Sequence, residues 1–168
     1  MKKIFTILAL TIVFSVNAQD FWFQGTLSNA IQTANATASG YAATAMGIGT
    51  TASGTVSTAM GYYTEASGNY STAMGRSTTA SGSRSTAMGW NTTASGYYTT
   101  AMGYNTTASG NYSTAMGQWT TAMGLFTTAM GWYTTASGNS STAMGAYTIA
   151  SDFGSLVIGR YNSSGSTA

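Results

Sequence analysis

The 168 residues contain no cysteine and no histidine, and only 5% of them are charged. Without cysteine there is no disulfide framework and no lipid attachment through a thiol. Without either residue the usual metal ligands and activated nucleophiles are gone, so no metal, cofactor or catalytic residue is assigned. The acidic side chains are Asp20, Glu65 and Asp152, far apart in sequence, which argues against a paired acid/base site. Lysine occurs only as Lys2 and Lys3, so a phosphate-cradling Gly-Lys-Ser/Thr loop is missing. These absences exclude most enzyme classes.

The formal net charge of +2 comes wholly from Lys2 and Lys3, because Arg76, Arg84 and Arg160 cancel the three acids. A chain this neutral has no basic footprint for nucleic acid or an anionic membrane. It also lacks the self-repulsion that keeps monomers apart, which favours an oligomer. The two lysines open a stretch that runs through apolar Ile4–Val16 to the small residue Ala18, the form of a secretory signal peptide over residues 1–18. It is too short for a membrane span, and the mature chain has none. Residues 19–32 read as a lead-in segment, 33–162 as a repeat domain and 163–168 as a frayed tail.

Composition rich in Gly, Ser and Thr suggests disorder by itself. Strict repetition and frequent aromatics argue against it. From Gly40 to Gly145 a glycine falls at every seventh residue; Asp152 breaks the beat and Gly159 resumes it. Alanine precedes each by two positions from Ala38 to Ala150, with Val157 in the last unit. Labelled a to g, the heptad reads Ser/Thr, Thr, Ala, Met or Ser, Gly and two variable residues. Position d alternates. Met46, Met60, Met74, Met88, Met102, Met116, Met130 and Met144 lead to Ile158, whereas serine fills the other heptads except at Met123. The unit is therefore fourteen residues in two unequal halves.

A coiled coil needs large apolar residues at a and d, and a glycine every second turn costs a helix about 1 kcal/mol each. Collagen needs glycine every third residue. A strand of about five residues and a two-residue corner, twice per unit, fits better. Glycine then supplies the positive φ or the close approach required at the corner. The fold class is all-β: a flattened parallel β-roll of about nine fourteen-residue coils, roughly 43 Å long at 4.8 Å per rung.

Alternation along a strand puts a, c and e on one side and b and d on the other. Alanine at c and small residues at a suit the inside of a thin roll. The outward face of one half then reads Thr51/Ser53, Glu65/Ser67, Thr79/Ser81, which is wet; the other reads Thr58/Met60, Thr72/Met74, and ends as Leu156/Ile158. The inverted assignment makes methionine the core, but buries serine and Glu65 without partners. An outward methionine ladder is a large apolar stripe that monomers rarely tolerate. The methionines from Met46 to Met144, with Leu156 and Ile158, are thus candidate oligomer-interface residues, each worth about 1.5–3 kcal/mol when buried.

The unit Tyr70-Ser71-Thr72-Ala73-Met74-Gly75-Arg76-Ser77-Thr78-Thr79-Ala80-Ser81-Gly82 resembles the head repeats of YadA-like trimeric autotransporter adhesins. Those run roughly Asn-Ser-Val-Ala-Ile-Gly, two variable residues, then Ser-x-Ala-x-Gly. The resemblance spans residues 33–162. It implies a left-handed roll, three rolls around a threefold axis (a homotrimer), and adhesion at a bacterial cell surface, outer membrane-associated or extracellular. The coiled-coil stalk and membrane barrel usual in that family are not among these residues, which leaves anchoring unassigned.

Every aromatic from Tyr41 to Tyr147 sits at f or g. They shield corners and stack along the axis, or else present a sticky surface for extracellular matrix protein or glycan. The candidate ligand-facing corners are Trp90, Tyr97, Tyr98, Tyr104, Tyr112, Trp119, Trp132 and Tyr133, expected to form one stripe. Two other functions fit the repeat. One is an ice-binding solenoid, from the ladder Thr51, Thr79, Thr93, Thr107, Thr121, Thr135, which Glu65 and Ile149 interrupt. The other is a spacer in a trimeric phage-type tail fibre.

Overall fold

The computed structural model describes residues 23–24 and 30–164. The signal-peptide segment 1–18 lies outside them, as do most of the lead-in and residues 165–168. The repeat folds as a parallel β-solenoid of two sheets. One sheet has eleven strands and the other nine, and the chain alternates between them coil by coil. Five-residue strands such as Thr86–Trp90 and Thr100–Tyr104 build the first sheet. Two-residue strands such as Thr93–Ala94 build most of the second. Pairing is in register at fourteen residues: Met88 lies between Met74 and Met102, and Ala87 between Ala73 and Ala101. At the N-terminal end Phe23–Gln24 pairs antiparallel with Ile31–Gln32, which then joins the first long strand in parallel.

The two halves of the unit are less alike than their sequences. In the serine half, position d leaves the strand because its N–H and that of the following glycine share one carbonyl of the next coil. Ser67 and Gly68 both donate to the Ala80 carbonyl oxygen, each at 3.1 Å. A tight turn follows, in which the Ser71 N–H donates to the Gly68 carbonyl at 3.2 Å. The serine strand is therefore two or three residues long where the pattern predicts five.

Glycine also divides its labour differently from the expectation. Position e is glycine because each coil lies directly on the next: a Cβ on Gly96 or Gly103 would collide with the carbonyl group of the glycine one coil on. In the methionine half φ at e is also positive, 116° to 126°. That turns the glycine outward and ends the alternation before e. The left-handed corner itself falls at g, where sixteen residues with side chains adopt φ of 51° to 58°. Each costs about 1–2 kcal/mol. The conformation is held because the g N–H donates to the f carbonyl of the preceding coil, as from Tyr63 to Ile48 at 2.8 Å and from Tyr98 to Ser83 at 3.0 Å.

Inside the roll, the alanines at c from Ala45 to Ala150 are fully buried. Beside them run the residues at a, and the largest fully buried side chains among the described residues are threonines. The methionines lie on the outer face of the long-strand sheet, half-buried, so the inverted assignment fails. Little apolar volume is enclosed, and backbone ladders carry much of the cohesion. Twelve buried hydroxyls, Thr78, Thr92 and Thr106 among them, have no hydrogen-bond partner. An unsatisfied buried polar group costs about 1–3 kcal/mol. Replacing Thr78, Thr92 and Thr106 together by Val, which fills the same volume, should therefore stabilise the roll by about 1 kcal/mol per site, at the low end of that range, and raise the melting temperature. A lowered melting point would show that the hydroxyls bond along their column.

The roll's hydrogen bonding runs beyond Asn162. Ser163 bridges Ile149 in parallel, the Ser164 N–H donates to the Ile149 carbonyl at 2.8 Å, and the Ser164 hydroxyl accepts from the Ser151 N–H at 2.8 Å.

Candidate functional site

Two surfaces stand out, and the first is the outer face of the long-strand sheet. Met46, Met60, Met74, Met88, Met102, Met116, Met130 and Met144 stand in register, one per coil, and Ile158 continues the row. A parallel row at b runs from Thr44 to Thr142 and ends at Leu156. The methionines are half-buried, whereas Leu156 and Ile158 are 65% and 57% exposed. The opposite sheet carries Thr51, Glu65 and Thr79 in its own row, with Glu65 exposed as read from the sequence. Its one methionine, Met123, is 49% exposed. Apolar and polar outer faces are thus segregated onto different sheets.

The corners form the second surface, and they make two stripes where the sequence reading expects one. Successive heptads end on opposite edges of the coil, so only residues fourteen apart stack. Trp90, Tyr104 and Trp132 end long strands, Trp119 and Tyr133 follow them, and all five share one edge; Tyr97, Tyr98 and Tyr112 follow short strands and share the other. Within each edge, position decides what a ring can do. Rings at g pile face to face. Trp119 stacks on Tyr133 at 5.6 Å and 7°, Tyr133 on Tyr147 at 5.1 Å and 2°, and Tyr147 on Tyr161 at 4.9 Å and 12°. On the other edge Tyr98 stacks on Tyr112, and Tyr112 on Phe126. Arg84 extends that pile, its guanidinium 5.1 Å from the Tyr98 ring and 5.3 Å from Tyr70. Such stacks contribute about 0.5–1.5 kcal/mol per pair beyond area, which offsets the left-handed backbone beneath them.

Rings at f meet their neighbours edge to face. Trp90 and Tyr104 are 5.0 Å apart at 72°, and Trp132 meets Tyr147 at 4.8 Å and 65°. Arg76 lies between Tyr62 and Trp90, 5.6 and 5.1 Å from the ring centres. Arg84 also donates to the Tyr97 hydroxyl at 2.6 Å. The neighbouring Tyr98 hydroxyl has its pKa raised, chiefly by its hydrogen bond with Tyr97; the Arg84 charge opposes the rise. The sequence reading left Tyr147 out of its ligand-facing corners and passed over Tyr161 and Arg84 as members of these piles. The spacing Trp119, Tyr133, Tyr147, Tyr161 would have found Tyr161.

Asparagines knit the coils where rings are absent. Asn69, Asn111 and Asn139 each use the side-chain oxygen to accept the backbone N–H of the residue one coil earlier, at 2.9–3.0 Å. A shallow cleft of 230 Å³ at the first coil is lined by Thr33, Ala34, Asn35, Gly47 and Ile48. Its one hydroxyl, on Thr33, is engaged with the Gly47 backbone as both donor and acceptor. Among the described residues no three potential metal ligands of the His, Cys, Asp or Glu type come together. No helix among them is long and apolar enough to cross a membrane.

The model of one protein family, the YadA head domain repeat (2 copies), matches residues 34–64, 66–92, 94–118 and 121–148, together well over half of the chain. No curated protein matches the sequence.

Proposed function

The chain belongs to the YadA head repeat family, and from that premise we propose that it is the non-enzymatic head of a homotrimeric adhesin, exported to the bacterial surface or beyond it. The observation that carries this reading is the segregation of the outer faces. A half-buried methionine row runs the length of one sheet, whereas the other is polar except at Met123 and Ile149. A row of that kind gains about 1.5–3 kcal/mol for each methionine it fully buries, and side-by-side packing of rolls buries all of them at once. The family points to three copies. Light scattering on the mature chain should accordingly give three times the chain mass at micromolar concentration. A folded monomer would defeat the assignment.

Adhesion to matrix protein or glycan is assigned to the corner rings at f, which meet their neighbours edge to face and do not pile on one another. The rings at g are committed to face-to-face stacks. Replacing Trp90, Tyr104 and Trp132 by Ser should reduce binding to matrix proteins or glycans at least tenfold, since stacking contacts of this type are worth about 0.5–1.5 kcal/mol each. The trimer should persist, because these residues end their strands and serine keeps the backbone pairing there. Replacing Tyr98 and Tyr112 by Ser should instead lower the melting temperature and leave adhesion per folded trimer unchanged. Unaltered adhesion in the first variant would make those rings structural too.

A further inference from the structure

Four of the piled aromatic rings run Trp119, Tyr133, Tyr147, Tyr161, and the last three are tyrosines on successive coils. Their planes lie within 2° and 12° of parallel, with ring centres 5.1 and 4.9 Å apart. Tyr133 is 42% and Tyr161 66% exposed. The parallel register fixes them one rung apart, so each phenol permanently faces the next. We infer that Tyr133, Tyr147 and Tyr161 form a site of oxidative modification, at which a one-electron oxidant of the peroxidase and peroxide class joins neighbouring rings as dityrosine.

The step balances as follows. Each of two phenols gives up one electron and one proton and becomes a phenoxyl radical. The radicals join through the ring carbons ortho to oxygen, and both ortho hydrogens leave these carbons for the oxygens as the rings regain aromaticity. Hydrogen peroxide takes up the two electrons and two protons and becomes two waters. One carbon–carbon bond replaces two hydrogens, and the hydroxyls remain.

Geometry selects these tyrosines over the others. Tyr112 is stacked between Tyr98 and Phe126, and its other phenol neighbour, Tyr97, stands edge-on at 6.1 Å and 86°. Tyr70 is separated from Tyr98 by the Arg84 guanidinium, 5.3 and 5.1 Å from the two rings. Tyr104 meets Trp119 at 86° and Trp90 at 72°, neither of which is a phenol. Only the Tyr133–Tyr147–Tyr161 pile presents three phenols in an unbroken near-parallel row. A link there ties coil to coil covalently at the C-terminal end of the rod, the role disulfides play in chains that have cysteine.

The test is made on the full mature chain and needs no assembly. Treatment with a peroxidase and limiting hydrogen peroxide is followed by denaturation and trypsin. Trypsin cuts after Arg84 and Arg160 and so separates residue 147 from residue 161. The expected product is the peptide 161–168 held on the peptide 85–160 with two hydrogens fewer than their sum, together with dityrosine fluorescence. A mixture of isotope-labelled and unlabelled protein should yield only like-with-like links. Tyr147→Phe keeps the stack and should abolish that product, and Tyr161→Phe should abolish it independently; Tyr98→Phe should leave it intact. Release of unmodified 161–168 from the oxidised parent overturns the inference, and so do links formed mainly between labelled and unlabelled chains.

Discussion

Gly103→Ala should break the rod at its middle. The backbone there has φ of +123°, and the added Cβ would fall on the carbonyl group of Gly117 in the next coil. The φ strain alone costs about 1–3 kcal/mol. The larger penalty is the collision, because the obstacle is backbone fixed by the ladder between the strands Thr100–Tyr104 and Thr114–Gln118. No side chain can turn away to relieve it. Separating the coils would break the pairing on which every later coil depends, so a total above about 4–5 kcal/mol is expected, the range of severe single substitutions. Circular dichroism should show loss of cooperative melting or a melting point lowered by more than about 10 °C at 2–4 °C per kcal/mol. Gly49→Asn is the matched control. Gly49 has φ of +64°, and its Cβ would meet only the movable Tyr63 ring. Asn91 and Asn105 already occupy the same corner position at φ of 54° and 51°. That variant should stay near the parent, within about 0.5 kcal/mol. Equal melting of both variants would show that stacking distance does not impose glycine at e.

Met88→Asp combined with Met102→Asp should yield a folded roll that no longer assembles. Both side chains stand on the outer face, half-buried in the single chain and adjacent in register. A carboxylate at either place reaches solvent in a monomer, so the strand ladder survives. Packed against neighbouring rolls, two such charges per chain would be buried without partners, at about 3–5 kcal/mol for each uncompensated charge. The assembly should therefore dissociate at micromolar concentration while circular dichroism remains that of the parent. Ser81→Asp with Ser95→Asp puts the same charges on exposed positions of the other sheet and should leave the assembled mass unchanged. If both pairs of substitutions leave the mass intact, the methionine row is not the interface.

Much of this protein was legible from the order of its residues. The fourteen-residue register is a property of the covalent chain. Once like residues recur at that spacing, parallel pairing aligns them whatever the details of the coil. The buried alanines, the outward methionines and the exposed Glu65 follow from side-chain alternation over b, c and d, and Glu65 confirms the choice of face because a lone carboxylate cannot be buried unpaired. Alternation held from a to e in the serine half, where glycine at e is buried, and from a to d in the methionine half, where that glycine turns outward. Which way glycine at e faces depends on φ, and glycine accepts both signs of φ without a penalty that sequence could reveal. Strand length differs as well, five residues in the methionine half against two or three in the serine half, where the N–H groups at d and e share one carbonyl. Left-handed backbone at sixteen corner residues, Tyr, Trp and Phe among them, is likewise invisible in sequence, because local preference opposes it. Only contact with the coils on either side, through the carbonyl of the preceding corner and the stacked neighbouring ring, makes that conformation the stable one. Tertiary structure decided the division of the aromatics as well. The roll sends alternate corners to opposite edges, turning one expected stripe into two, with rings at g piled face to face and rings at f set edge to face.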